Sequence, residues 1–265
     1  MTDFKGKVVW ITGASSGLGE SLAYKFSAAG AKLILSARNR DLLYEVKERC
    51  VGNQSNIHVL PIDLNELETL EHLSSEGEKI FGRVDVLIHS GGISQRSLVM
   101  ETDLEVTERI MRVNFTGGVI LTKKVLRGMI NRNEGNIVVI SSLTGKFGTP
   151  LRSSYAASKH ALHGFYDSLR AELVDKKIKI TILCPGFIKT NVSLNALTGD
   201  GRAQQKMDDS QANGMLPSVF AEKAMKAISK GKEEVGIGGK ELIAIYFKRF
   251  FPKRFSKFIS KAKVT

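Results

Sequence analysis

The sequence predicts a single α/β domain: a doubly wound, seven-stranded parallel sheet flanked by helices. Three observations carry that reading. Short runs rich in Val and Ile alternate with longer segments of helical period. The runs are apolar almost throughout, as strands buried on both faces of a parallel sheet are. No linker or low-complexity stretch divides the 265 residues, a length that fits one large domain.

Strands are read at Lys7–Thr12, Lys32–Ser36, Ile57–Pro61, Val84–Ser90, Asn136–Ser141, Lys179–Cys184 and Glu234–Gly238. Helices are read between them at Leu18–Ala29, Arg40–Cys50, Leu67–Phe81, Leu104–Asn131, Ser153–Val174 and Pro217–Lys230. Repeated β-α-β order implies crossovers on both faces of the sheet. Val192–Leu216 has little periodicity and holds Gly199, Asp200, Gly201, Asp208, Asp209 and Gly214. It reads as a mobile lid with room for a short helix. The folded domain is therefore set at 1–240, with the lid at about 192–216 and an extension at 241–265.

A hydrophobic fraction of 42% and a charged fraction of 25% are ordinary for a folded soluble chain. Cys50 and Cys184 form no spaced cluster, so neither a disulfide framework nor a metal site is expected. Met1–Lys7 leads into an apolar run without an export signal, and no apolar stretch is long enough to span a bilayer. The expectation is an intracellular protein, cytoplasmic or peripherally membrane-associated, with the sequons at Asn53, Asn114 and Asn191 present by chance. The net charge is +12, but residues 240–265 hold eight Lys/Arg against one Glu. A nucleic-acid binder needs basic and stacking residues along a groove, whereas this excess sits in one tail. No nucleic-acid partner is expected.

Tyr155 and Lys159 lie four residues apart, so they share one face of their helix. An ammonium beside a phenol favours the phenolate and draws the tyrosine pKa toward neutrality. Such a tyrosine can exchange a proton with an alcohol or carbonyl oxygen. Ser142, thirteen residues earlier, can donate a second hydrogen bond to that oxygen. The pair alone also fits an ordinary amphipathic helix surface. Its neighbours in the sequence give it weight.

The first strand ends in Thr12-Gly13-Ala14-Ser15-Ser16-Gly17-Leu18-Gly19, and a helix follows. Glycines let the backbone turn tightly against a pyrophosphate, and the helix N-terminus offers N–H groups and a positive dipole end. The second strand runs into Ala37-Arg38-Asn39-Arg40. An acid usually stands at this strand's end to hold the adenosine ribose hydroxyls. Ala37 repels no 2′-phosphate, and the Arg38 guanidinium can grip one bidentately. The expected cofactor is NADP(H). The alternative is that Arg38 and Arg40 merely solvate a helix start.

Together these motifs resemble the classical short-chain dehydrogenase/reductase family over about residues 4–240. The resemblance implies a Rossmann fold and assigns Thr12, Gly13, Ser15, Ser16, Gly17, Leu18 and Gly19 to the cofactor loop. Asp63 and Leu64 match a pair that contacts adenine. His89-Ser90-Gly91-Gly92 stands where the family usually has Asn-Asn-Ala-Gly, which implies cofactor contacts from Ser90, Gly91 and Gly92. Asn114 matches a helix asparagine associated with a proton relay through water. Ser142, Tyr155 and Lys159 match the catalytic three, and Lys159 also holds the nicotinamide ribose. Pro185, Gly186, Ile188 and Thr190 match the segment against the nicotinamide. The departure at His89 and Gly91 implies altered local stability, with His89 a structural residue and a looser turn at Gly91. His160 and His163 read as packing or surface residues. The family commonly pairs through the helices carrying Asn114 and Tyr155, so a homodimer or homotetramer is expected.

Leu143, Phe147, Leu151, Phe187 and the lid are partly apolar, which suits a small hydrophobic carbonyl or alcohol of lipid, steroid or retinoid type. A 3-oxoacyl thioester and a non-catalytic NADP(H)-binding scaffold are the alternatives. In the tail, Phe251, Phe255, Phe258 and Ile259 follow helical spacing among Lys248, Arg249, Lys253, Arg254, Lys257, Lys261 and Lys263. Pro252 should break or restart that helix. Aromatic and basic faces suit contact with a membrane surface, and the same apolar face suits packing on the core or on a second subunit. This tail and Leu35-Ser36-Ala37-Arg38 are most similar to the dehydrogenase/reductase member 7-like branch of the family.

Overall fold

The computed structural model describes residues 3–262. Met1 and Thr2 of the N-terminal reading and Lys263 of the basic tail lie outside them. One sheet holds β1 (Val8–Thr12), β2 (Lys32–Ser36), β3 (Ile57–Val59), β4 (Val86–His89), β5 (Gly135–Ile140), β6 (Ile178–Pro185) and β7 (Glu234–Ile237). The order is β3-β2-β1-β4-β5-β6-β7, and every pairing is parallel. β3 is shorter than read, and Pro61 stands at a position whose missing N–H would face the open edge of the sheet. The chain still tracks β2 beyond it, through Leu60 N to Leu35 O and Ile62 N to Ala37 O.

The helices are α1 (Gly17–Ala28), α2 (Arg40–Arg49), α3 (Leu67–Ile80), α4 (Leu104–Met111), α5 (Gly117–Arg132), α6 (Ser153–Glu172), α7 (Asp209–Ala212), α8 (Pro217–Ser229), α9 (Ile243–Phe250) and α10 (Pro252–Ile259). Phe26 of α1, Leu43 of α2 and Phe220 of α8 bury one face of the sheet, meeting Val9, Ile11, Leu33 and Leu35. Leu70 of α3, Leu121 of α5 and Tyr166 of α6 bury the other, meeting Val8, Trp10 and Ile34. Alternate residues of one strand thus enter opposite cores, which is why the strands read as unbroken apolar runs. The chain winds outward from β1 in both directions. The carboxyl ends of β1 and β4 therefore diverge and open a crevice.

The helix read continuously at Leu104–Asn131 is interrupted. Arg112–Thr116 forms one wide π turn between α4 and α5. The turn faces the buried Asn114 inward, where its Oδ1 accepts from Ile93 N at 2.8 Å and its Nδ2 donates to Ile93 O at 2.9 Å. The extra residue in the turn is offset by these side-chain bonds. Val192–Leu216 contains the short α7, and it is pinned along its length. Leu197 N donates to Ser94 O, Arg96 N to Leu197 O, and Met215 N to Phe187 O, all within 2.9 Å.

The tail folds back onto the domain as two helices, with Pro252 opening the second. Phe255 is 2% exposed and meets Phe147 edge to face at 5.1 Å. Phe247 joins it at 5.7 Å. Burying a phenylalanine at this depth stabilises a contact by about 3–5 kcal/mol. Phe255→Ala is expected to detach α10, seen as faster tryptic cleavage at Lys253, Arg254 and Lys257. Unchanged cleavage would mean that other contacts hold the tail.

Candidate active site

The loop after β1 is shaped by close approach. Gly13 has φ +66°, and a Cβ there would lie 2.6 Å from Gly91 Cα on the loop after β4. Gly17 has φ +61° and lies under Thr190. A Cβ at Gly19 would overlap the Gly13 carbonyl oxygen, so its absence lets α1 close on the loop. The Thr12 hydroxyl stitches the two loops: it donates to Ile88 O at 3.4 Å and accepts from Ser90 N and Gly91 N, each at 3.3 Å. These bonds hold the turn that Gly91 was expected to loosen. A Cβ on Gly91 would instead press on Leu64 Cδ1 at 2.6 Å, so the glycine makes room for Leu64.

A cavity of about 1310 Å³ runs from this loop across the carboxyl edge of the sheet. Its wall includes Thr12, Gly13, Ser15, Ser16, Gly17 and Leu18 at one end, with Arg38, Asp63 and Leu64 beside them. Ser90, Gly91 and Gly92 form the middle. Ser142, Tyr155, Lys159, Pro185, Gly186, Ile188 and Thr190 follow. Two expected residues stand behind the wall: Gly19 beneath the loop and Asn114 beneath Ile93. Leu151 also stands apart from it. Its backbone has φ +63°, and its carbonyl accepts from Ser97 N. Leu143, Phe147 and Phe187 do line the cavity.

Ser142 caps the turn after β5. Its Oγ accepts from Thr144 N at 3.2 Å and from Thr144 Oγ1 at 3.0 Å. Both lone pairs are then used, and its own O–H is left to donate. Burial pushes the Tyr155 phenol above its ordinary pKa, opposed by a hydrogen bond from Ser142 and by the charges of Arg152 and Arg96. This differs from the sequence expectation that Lys159 lowers it. The Lys159 ammonium donates to Ile140 O at 2.9 Å and stands 5.6 Å from the Tyr155 ring centroid. Burial lowers the Lys159 pKa to about 8. Desolvation thus draws both groups toward their neutral forms.

Arg96 and Arg152 were not singled out from the sequence. Both are buried, and both contact the buried Asp208 of the 192–216 segment: Arg96 Nη2 at 2.5 Å and Arg152 Nη2 at 3.1 Å. Two guanidinium groups share one carboxylate, so the cluster ties that segment to the start of α6 and keeps positive charge near Tyr155. Gln95 was missed as well. No side chain of the helix's own N-cap bonds its first turn; instead Gln95 Oε1 accepts from Ser154 N at 2.8 Å and Tyr155 N at 3.4 Å. Glu241 ties the tail to the segment after β6, accepting from Phe187 N at 3.2 Å and Gly239 N at 2.9 Å. Apart from Gly239 and Glu241, these partners lie far apart in sequence, so no local spacing marks them.

Among the histidines, His160 is exposed while His163 is buried. His163 Nε2 meets Ser141 Oγ at 2.9 Å, and its Nδ1 lies 3.4 Å from Glu234, which also pairs with Lys146 at 2.5 Å. His89 is buried with its Nε2 2.7 Å from Thr122 Oγ1, which in turn meets Tyr166 Oη at 2.8 Å. Burial lowers the His89 pKa to about 4, so the ring is a neutral structural group near neutral pH.

A model of the short chain dehydrogenase family matches residues 7–200. The chain belongs to the short-chain dehydrogenase/reductase family. A "Dehydrogenase/reductase SDR family protein 7-like" of Anopheles gambiae is 46% identical over 235 residues, covering 87% of this chain and 74% of that protein. Its Drosophila melanogaster counterpart is 41% identical over 98% of this chain and 81% of its own length. A "Dehydrogenase/reductase SDR family member 7B" of Bos taurus is 39% identical over 97% and 81%. Among solved structures, a Burkholderia phymatum short-chain dehydrogenase/reductase in complex with NAD superposes with a TM-score of 0.83 at 23% identity, covering 94% of this chain and 95% of its own. A Streptomyces avermitilis short-chain dehydrogenase gives 0.82 at 24% identity, covering 96% of each. The fold is therefore the Rossmann architecture of this family.

The site of this short-chain dehydrogenase/reductase fits a nicotinamide dinucleotide. The cavity exceeds the roughly 300–1,000 Å³ of single small-molecule sites. At its far end no side chain of the N-cap residue Ser16 bonds the first turn of α1, which leaves helix N–H groups facing the cavity.

The sign of the His89 linkage is set by its lowered pKa. The unfolded chain takes up a proton near pH 6.5 that the folded chain refuses until about pH 4. Stability is intact above 6.5 and falls as pH drops toward 4. Between pH 7.5 and 5 the loss is about 2 kcal/mol. In urea unfolding, His89→Asn is expected to lose correspondingly less than the parent over that interval. Equal losses would show that His89 is not the group responsible.

Proposed function

We propose that this enzyme is an NADP(H)-dependent oxidoreductase that interconverts a carbonyl and an alcohol on a hydrophobic substrate, with Tyr155 as the acid/base. One observation carries the reading: Tyr155, Ser142 and Lys159 share one cavity with the glycine loop of β1. A reduction needs a protonated donor beside the carbonyl oxygen. The Tyr155 phenol, raised by burial, holds its proton at physiological pH and meets that need. Ser142 donates its hydroxyl hydrogen to the same oxygen as negative charge develops. The cofactor, when bound, supplies hydride to the carbonyl carbon.

Lys159 holds the nicotinamide ribose hydroxyls and, with its pKa near 8, can pass a proton toward Tyr155. Asn114 commits its amide N–H groups to Ile93 O and Ser158 Oγ, and its Oδ1 keeps one lone pair for a relay water. Thr12, Gly13, Ser15, Ser16, Gly17 and Leu18 would hold the pyrophosphate, with Gly19 behind them letting α1 close on the loop, while Asp63, Leu64, Ser90, Gly91 and Gly92 would border the adenosine half. Pro185, Gly186, Ile188 and Thr190 back the nicotinamide.

The choice of NADP(H) rests on Arg38. It is exposed at the cavity wall beside Ala37, with no acid at that strand end. Arg40, in contrast, lies over the Tyr44 ring at 5.6 Å. The hydrophobic substrate class rests on Leu143, Phe147, Phe187 and Phe247 in the wall. The same reading takes the enzyme as a homodimer or homotetramer paired through the helices that carry Asn114 and Tyr155.

The experiment follows NADPH oxidation with a panel of hydrophobic ketones, aldehydes and 3-oxoacyl thioesters. Tyr155→Phe is expected to lower kcat by about 10²–10⁴-fold while NADPH still binds. Turnover retained in that variant sinks the role of Tyr155. NADPH binding without turnover of any substrate in the parent favours the scaffold. Arg38→Ala is expected to raise KM for NADPH about tenfold or more through loss of a charge-assisted contact, and to leave KM for NADH unchanged. Equal effects on both cofactors remove the basis for NADP(H).

A further inference from the structure

The α9–α10 hairpin divides its apolar side chains between two faces. Inward, Phe255 packs on Phe147, and Ala244, Phe247 and Ile259 close the cavity. Outward, Ile243, Tyr246 and Phe250 recur three and four residues apart, so they share one face of α9. They are 66%, 65% and 68% exposed, and Phe251 and Phe258 are 52% and 55% exposed. Single exposed apolar side chains are ordinary, but five on adjoining short helices form a patch. Ile243 and Phe258 also line the cavity, so the patch and the cavity rim are continuous.

The charge around this patch is of one sign. Lys248, Arg249, Lys253, Arg254, Lys257 and Lys261 are all exposed, and residues 242–262 contain no acid. Aromatic side chains among long basic ones match the boundary between acyl chains and acidic headgroups. A second copy of this chain matches it poorly, since two such faces would bring like charges together with no carboxylate between them. No described helix is long and apolar enough to cross a membrane.

We infer that the α9–α10 hairpin seats this enzyme on an anionic phospholipid surface, with the cavity rim turned toward the acyl chains. An apolar substrate then passes from the bilayer to Tyr155 without crossing water, a consequence that rests on the hydrophobic-substrate reading above. Polybasic attraction to acidic lipid holds the protein there and weakens as salt screens it.

The test is flotation of the full chain with vesicles of phosphatidylcholine, alone or mixed with phosphatidylserine. Trp10 is buried, so a Phe250→Trp variant reports the patch against a constant background. Expected are binding to the mixed vesicles, weakening with added salt, and a blue shift of the new indole. The triple variant Lys253→Glu, Arg254→Glu, Lys257→Glu should bind those vesicles about tenfold or more weakly. It should keep NADPH binding, its melting temperature and its turnover of a water-soluble ketone, and lose turnover of a ketone dissolved in vesicles. Failure to float, equal binding to phosphatidylcholine alone, or binding untouched by charge reversal overturns the inference. So does a blue shift without vesicles that tracks protein concentration, which means that a second copy covers the patch. Vesicle binding in a protein that turns over no ketone sinks the reductase reading alone; turnover without vesicle binding sinks the docking alone.

Discussion

The seam between β1 and β4 is the constraint on which the site depends. The chain must wind away from β1 in both directions to cover a parallel sheet on both faces, and the two strands beside the reversal leave their carboxyl ends uncovered. Here the two loops leaving that seam approach so closely that Gly13 leaves no space for a Cβ against Gly91. The Thr12 hydroxyl takes the backbone N–H groups that the turn would otherwise leave unpaired. With the seam closed, α1 points its N-terminus into the crevice. The strands beyond it bring Ser142 and the Pro185-Gly186 segment to the same edge.

Desolvation then governs the chemistry of that edge. The cavity buries a phenol and an amine beside each other and pushes both toward neutrality. The opposing positive potential comes from Arg96 and Arg152, held by the single carboxylate of Asp208. A buried ion cluster of this kind contributes little net stability, but removing one partner strands the others. Its value lies in geometry: Asp208, bonded to both guanidinium groups, fixes the 192–216 segment against the start of α6. Gln95 fixes the same place from the β4 side by capping the Tyr155 helix. The position of the phenol is therefore set by the Gln95–Arg96 loop and the 192–216 segment as well as by its own helix.

The tail extends this arrangement outward. Glu241 holds it to the segment after β6, and Phe255 plugs it onto Phe147. Because Pro252 restarts the helix, α9 and α10 fold against each other instead of running on as one rod. The hairpin thus walls the cavity with one face and keeps aromatic and basic side chains on the other. The two alternatives drawn for the tail, packing on the core and meeting a surface, use different faces of the same two helices.

What the sequence determined by itself was local. Apolar runs of strand length marked the central strands, because a strand buried on both faces is apolar almost throughout, while the half-exposed edge strands β3 and β7 carry His58 and Glu234. The glycine loop and the Tyr155–Lys159 spacing were legible because phosphate cradles and helix faces are properties of neighbouring residues. The long-range features were decided only by the tertiary structure. Asn114 sits on a π turn because its amide pairs with Ile93, twenty-one residues away. The supposed single helix gave no sign of that break. Leu151 left the cavity wall because its backbone turns left-handed to meet Ser97. The partner of Lys159 is the Ile140 carbonyl, and Arg96, Arg152 and Asp208 meet from three separate loops. A buried charge takes whichever partner the fold delivers within hydrogen-bond reach, and periodicity along the chain holds no record of that distance.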